Sequence, residues 1–145
     1  MVRNSPVAVI SKQISLSTKG DCQVIDITDQ VARHVRDSGL KNGTVTLFTP
    51  GSTSALTTIE YESGAVQDFQ NLFDRIALPS LDYRHNLRWG DGNGHAHVRH
   101  ALLGPSLTIP FIDGRPTLGT WQQVVLIDFD NRPRTRSVVV QIMGE

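Results

Sequence analysis

The chain has 145 residues, 39% hydrophobic and 19% charged, a balance that suits one folded domain over residues 1–145 and excludes a disordered chain. Its 14 basic residues match its 14 acidic ones, so no global field draws it to nucleic acid or to an anionic membrane. Cys22 stands alone, which excludes an intrachain disulfide and a thiolate zinc cluster. The apolar runs are too short to span a bilayer, and residues 1–17 alternate apolar and polar groups without the apolar block of a signal peptide, so the expected setting is the cytoplasm.

Val7, Val9 and Ser11, then Ile14 and Leu16, predict an opening strand, and Gly20-Asp21 turns into a second strand over residues 22–27. Thr28 or Asp29 is expected to cap a short helix with Val31 and Val35 on one face and Gly39 beyond its end. Asn42-Gly43 turns into a third strand, residues 44–48, and residues 53–61, rich in β-branched side chains, give a fourth. From residue 65 to 78 the apolar spacing is helical, with Val66, Phe69, Phe73 and Ile76 in one stripe and Pro79 as its stop. Residues 80–94 show little periodicity and read as a functional loop. Residues 95–104 fit a helix better than a strand, ending at Gly104 with Pro105 beyond. Residues 106–112, 120–129 and 135–143 read as successive antiparallel strands joined by turns. Strands predominate and helices do not alternate with them regularly, so the expected class is α+β: packed, mainly antiparallel sheets with inserted helices.

Four of the five histidines, His85, His95, His97 and His100, fall within one short segment, the fifth being His34. Neutral imidazole suits zinc and similar ions, and His85 could join His95 and His97 with Glu60 or Asp91 as an oxygen ligand. On a strand His95 and His97 would face one way; on a helix they diverge. Ordinary surface or hydrogen-bonded loop histidines explain the same spacing. Partial burial of Glu60 at a strand end would suit it to acid–base work, against the plain reading of a solvent-facing carboxylate. Gly51-Ser52-Thr53-Ser54 could hold a phosphate through backbone N–H groups and hydroxyls, without the lysine of a P-loop. Arg132, Arg134 and Arg136 share one side of an extended backbone and could clamp phosphate, although pairing with Asp128 and Asp130 explains them as well. For Trp121, the plain reading is a buried core residue; the sharper ones are a subunit interface or stacking on a substrate ring.

Several separated motifs occur together: residues 50–60 (PGSTSALTTIE), Tyr83-Arg84-His85-Asn86, residues 93–97 (NGHAH), residues 102–106 (LLGPS), Ile109-Pro110, residues 118–122 (LGTWQ), and the arginine-bearing segment 129–140. In these the chain resembles the YjbQ family, the secondary thiamine-phosphate synthase enzymes, over nearly its whole length. The resemblance implies a compact α+β fold, a homotrimer with pockets near subunit boundaries, and a histidine-lined site able to bind a divalent metal, zinc or magnesium. It matches His85 and His97 to the family's characteristic histidines and Glu60 to the acid closing the Thr/Ser-rich strand. Gly51 stands where many members carry a histidine; if that histidine ligates metal in them, this chain lacks the ligand, leaving His95 or water to replace it or the metal weakly bound.

Three functions follow for test. The first joins a thiazole phosphate to a pyrimidine methyl pyrophosphate, with His85, His97 and His95 holding metal, Arg132, Arg134 or Arg136 and Ser52-Thr53 taking phosphate, and Glu60 and His97 as catalytic groups. The second is metal-assisted hydrolysis of a small phosphorylated molecule. The third is ligand binding or assembly without catalysis.

Overall fold

The computed structural model describes residues 6–145; of the opening segment read above, residues 1–5 lie outside the described part. Its elements in chain order are β1 (Ala8–Thr18), β2 (Gln23–Asp26), α1 (Thr28–Asp37), β3 (Gly43–Phe48), β4 (Ser54–Ile59), α2 (Ser63–Ile76), α3 (Arg84–Trp89), α4 (Gly94–Leu103), β5 (Ser106–Ile112), β6 (Arg115–Pro116), β7 (Gln123–Asp128) and β8 (Arg134–Gly144). The class is α+β, with two antiparallel sheets: a five-stranded one in the order β1-β8-β3-β5-β6 and a three-stranded one in the order β2-β7-β4. No helix among the described residues is long and apolar enough to cross a membrane.

Strand β7 explains how the layers meet. Successive side chains on a strand point to opposite faces. Val124 and Leu126 therefore enter the main core with Val45, Leu47, Val138, Val140 and Ile142 from the five-stranded sheet and Val31 and Val35 from α1. Val125 and Ile127 face the other way, toward Phe73 of α2 and Ala96 of α4. Both faces are covered, and residues 124–127 are each 0% exposed. Truncating such a residue, Leu126→Ala for example, costs about 2–5 kcal/mol through lost burial and the cavity left behind.

Most predicted elements are present, and residues 94–103 form the helix preferred over a strand. Gly39 ends the α1 region with φ +73°, a left-handed conformation that glycine adopts without a Cβ penalty. Several expectations need correction. Neither Thr28 nor Asp29 caps α1: the capping position is Ile27, and the Thr28 hydroxyl instead donates to Asp26 at 2.6 Å. Gly43 lies within β3 and not in a turn, pinched so closely that an added Cβ would meet the Met143 carbonyl. Ile76 is half exposed, and Ala77 takes the buried place at the end of α2. Residues 80–94 hold a short helix, α3, whose residues are all at least partly exposed, so it has no buried stripe for periodicity to reveal. The late strands are antiparallel but not mutual neighbours: β7 lies between β2 and β4, and β8 between β1 and β3. Trp121 is 73% exposed and forms no part of the core.

Candidate functional site

The polar site grows from the end of β7, where Asp128 and Asp130 are both fully buried. Buried carboxylates are tolerated when donors surround them. Asp128 accepts from the Thr18 hydroxyl at 2.6 Å, from Arg136 Nε at 2.7 Å and Nη2 at 3.0 Å, and from the backbone N–H of Asp130, two residues on, at 3.0 Å. Asp130 accepts from Arg134 Nε at 3.0 Å, from the Thr53 hydroxyl at 3.1 Å and from the Asn131 backbone at 2.8 Å. Burial by itself would raise both acids; these donors outweigh it and hold both carboxyls below the ordinary range.

This network forms one wall of a pocket of about 370 Å³, lined by Gly51, Ser52 and Thr53, by Asp130, Arg134 and Arg136, and on the far side by His85, Trp89, Asp91, Asn93 and His97. Thr53 is locked in place: its Oγ1 donates to Asp130 while accepting from Arg136 Nη2 at 2.6 Å. Ser52 is exposed at the mouth. Gly51 has φ +121°, and an added Cβ there would lie 3.4 Å from an Arg136 guanidinium nitrogen, so a histidine at this position would begin beside the arginine wall.

Helices α3 and α4 bring the two imidazoles together. Gly90 takes a left-handed conformation after α3, and the Gly94 N–H at the start of α4 donates to Asn86 Oδ1 at 2.8 Å. A Cβ on Gly94 would sit 2.5 Å from Tyr83 Cβ, so glycine permits this close approach. The His85 and His97 rings consequently lie with centroids 4.2 Å apart and planes inclined by 40°. His85 Nδ1 lies 3.5 Å from an Asp91 carboxylate oxygen, and Asn93 stands between Asp91 and Asp130. Burial lowers the His97 pKa, and the neighbouring His85 lowers it further, so His97 is a neutral imidazole at neutral pH, able to accept a proton.

The other residues singled out in the sequence fall elsewhere. His95 is buried and stands 6.4 Å from Tyr83, ring to ring, without lining the pocket. Two residues apart on a helix, His95 and His97 are rotated by about 200°, which separates them. His100 binds the Ser54 backbone carbonyl. Glu60 is exposed, which is the solvent-facing alternative, and lines a separate hollow with Asp26, Asp29, Glu62 and Trp121. Arg132 lies before β8 begins, exposed and outside the pocket, so the expected row of three arginines contributes two. Both are held by carboxylates, Arg136 by Asp128 and Arg134 by Asp130, which is the pairing alternative.

Among the described residues no group of three or more His, Cys, Asp or Glu side chains is placed to hold a metal ion. Zinc ordinarily takes at least three protein ligands and magnesium a set of oxygens. The constellation His85–His95–His97 therefore does not fit a resident zinc or magnesium ion. Reading the sequence missed Asn93 as a pocket residue and Trp89 as its exposed aromatic rim. An isolated tryptophan in an aperiodic stretch, followed by Gly-Asp-Gly-Asn-Gly, was the available signal.

A family model described as UPF0047 protein YjbQ-like matches residues 12–145. A UPF0047 protein from Archaeoglobus fulgidus is 36% identical over 90% of this chain and 99% of its own length. One from Methanothermobacter thermautotrophicus is 34% identical over 94% of each. Among solved structures, a YbjQ-like protein of unknown function from Sulfolobus solfataricus superposes with a TM-score of 0.92 at 35% identity, covering 97% of this chain and all of the other. An uncharacterized conserved protein of the same family from Clostridium acetobutylicum gives a TM-score of 0.83 at 35% identity, covering 90% and 98%. With the resemblance running through both sheets and the helices that carry His85 and His97, the chain belongs to the YjbQ (UPF0047) family.

Proposed function

We infer that the pocket binds a small phosphorylated compound and supports proton transfer through His97, in a reaction of the kind the YjbQ resemblance implies: formation of thiamine phosphate from a thiazole phosphate and a pyrimidine methyl pyrophosphate. One observation carries this reading. Two imidazoles 4.2 Å apart face a wall of Arg134, Arg136 and the Ser52-Thr53 loop across one small pocket. In the reaction the thiazole nitrogen forms a bond to the pyrimidine methyl carbon while the carbon–oxygen bond to pyrophosphate breaks, its electron pair leaving on oxygen. Arg134, with 35% of its side chain exposed, supplies positive charge toward the departing group. The Gly51-Ser52-Thr53 backbone and hydroxyls orient phosphate; the attacking ring nitrogen carries no proton, so His97 takes one from solvent and hands it to the departing pyrophosphate oxygen, its lowered pKa making the imidazolium a ready donor. The exposed Trp121 offers an apolar surface that assembly would cover, in keeping with the homotrimer the YjbQ resemblance implies, and unpaired Cys22 suits a cytoplasmic setting.

The test is thiamine phosphate formation by the purified protein and by His97→Ala, His85→Ala and Arg134→Gln, with light scattering for assembly. Product from the wild type and a loss of about 100-fold or more in His97→Ala, with circular dichroism retained, supports the reading. No product from the wild type overturns the synthase assignment. Phosphate release from a phosphomonoester panel in the same samples would assign hydrolysis instead.

A further inference from the structure

A hollow of about 700 Å³ lies apart from the histidine pocket and shares no lining residue with it. One wall is the last turn of α1 with Arg36, continued through Gly39, Leu40 and Lys41; the other is the β5–β6 turn, Asp113, Gly114 and Arg115. Leu40 and Leu118 pack against the main core and also line the hollow beside Ala32 and Pro116, giving it an apolar floor. The walls are tied together by backbone. Gly114 N donates to the Lys41 carbonyl at 2.8 Å, and Lys41 N donates to the Glu145 carbonyl at 2.7 Å. The cleft is therefore formed before anything enters it.

Its charge is lopsided in a chain whose total is zero: Arg36, Lys41 and Arg115 against Asp113. Arg99, Arg134 and Arg136 each have a carboxylate partner. Among the described residues, by contrast, no carboxylate lies within 4.0 Å of the Lys41 or Arg115 cation. Arg36 meets Asp37 at 3.6 Å with both side chains well exposed, an ion pair that water screens heavily. The Thr28 hydroxyl, the neutral side-chain donor of the lining, is already occupied, donating to Asp26 and accepting from Val124 N. The side-chain donors left for a ligand are cationic, and they stand over aliphatic carbon.

We propose that this hollow is a second ligand site, for an organic anion: a phosphate or carboxylate head held by Lys41, Arg115 and Arg36, with a small apolar body lying on Leu40, Pro116 and Leu118. Charge-assisted hydrogen bonds supply the attraction to the head, and the floor selects against a bare inorganic ion. The assignment stands independently of any reaction in the histidine pocket.

The experiment follows backbone amides of the full-length protein by ¹⁵N NMR during titration with phenyl phosphate and, separately, with benzoate, which distinguishes the two head groups. Saturable shifts at Leu40, Lys41, Gly114 and Arg115 are expected with at least one of them, and none there with benzylamine. The double variant Lys41→Gln, Arg115→Gln should weaken that binding by about tenfold or more, because it removes two of the three cations that hold the head group. It should leave shifts at Ser52 and Thr53 as they are. Leu118→Ser should weaken phenyl phosphate while leaving inorganic phosphate unaffected. Shifts confined to residues 51–53, or equal affinity in the double variant, would overturn the second site.

Discussion

Arg136 holds Asp128 with two nitrogens, Nε 2.7 Å from one carboxylate oxygen and Nη2 3.0 Å from the other, at a site where the acid is wholly buried. The same guanidinium donates to Thr53 and stands 3.6 Å from Asp130, so one side chain joins both acids to the pocket loop. Removing one partner of such a pair leaves the other charged, buried and unsatisfied. Arg136→Met is expected to destabilise the protein by about 3–5 kcal/mol in urea unfolding, and Asp128→Asn in the same direction. A loss below about 1 kcal/mol for Arg136→Met would show that water already reaches the pair.

His95 and His97 both have pKa values below the ordinary 6.5, His95 through burial and then Arg99, His97 through burial and then His85. The unfolded chain binds protons at these positions more readily than the folded one. Their contribution to stability is thus complete above pH about 6.5 and shrinks as pH falls through that value toward the folded pKa. The melting temperature should decline from pH 7.5 to 5.5, and decline less steeply in His97→Asn. The depressed pKa values of Asp128 and Asp130 act in a more acidic window, since a carboxylate's contribution is lost only as pH drops below about 4. Identical slopes for wild type and His97→Asn would mean that His97 is not held neutral by the fold.

Gly94→Ala tests the joint between α3 and α4. The new methyl group would stand 2.5 Å from Tyr83 Cβ and 2.9 Å from Asn86 Oδ1, so one helix must shift. We expect a loss of about 1–3 kcal/mol, the usual range for overpacking, with chemical-shift changes at both His85 and His97. Undisturbed imidazole resonances would show that the joint yields without separating the rings.

Trp89 is 66% exposed at the rim of the histidine pocket, with the Arg88 guanidinium 5.3 Å from its ring. A flat aromatic surface beside arginines suits a ligand that carries a ring next to its phosphate. In a Trp121→Phe background, where Trp89 is the remaining tryptophan, phenyl phosphate should quench emission. Trp89→Ala should weaken phenyl phosphate at the 51–53 amides while sparing inorganic phosphate. Equal loss for both compounds would indicate damage to the pocket and not removal of a stacking surface.

Burial pushes the Cys22 thiol up to about 11, with Arg99 pulling it partly back. Very little thiolate exists at pH 8, and the side chain is covered besides. Iodoacetamide should leave the native protein unmodified under conditions that alkylate it in urea, as mass spectrometry would record. Rapid native labelling would contradict the burial.

The regular elements were legible where one periodicity acts alone. Val138, Val140 and Ile142 alternate along β8, and Val31 and Val35 share a face of α1, because each element buries one side. Strand partners were not legible, since Ile14 opposite Val138 is a pairing across most of the chain that no local pattern encodes. Short α3 has no apolar stripe, so its six residues look like loop. At the site, the two-residue spacing of Arg134 and Arg136 correctly placed them on one side, but Pro133 and the bend before β8 take Arg132 out of line. Composition marks Trp121 as apolar and cannot say that its loop leaves it in water.

The ring of donors about the two β7 acids draws on residues from distant parts of the chain; Thr18 and Asp128 alone are 110 positions apart. No fragment of this polypeptide could assemble the histidine pocket by itself, because closing such long loops comes late and is compensated only when both sheets are in place. Occupancy of the pocket is consequently tied to completion of the whole molecule. A compound lodged there delays thermal unravelling everywhere at once, in proportion to the logarithm of its concentration once that exceeds the dissociation constant, which makes a melting screen of phosphorylated metabolites a direct route to the natural ligand.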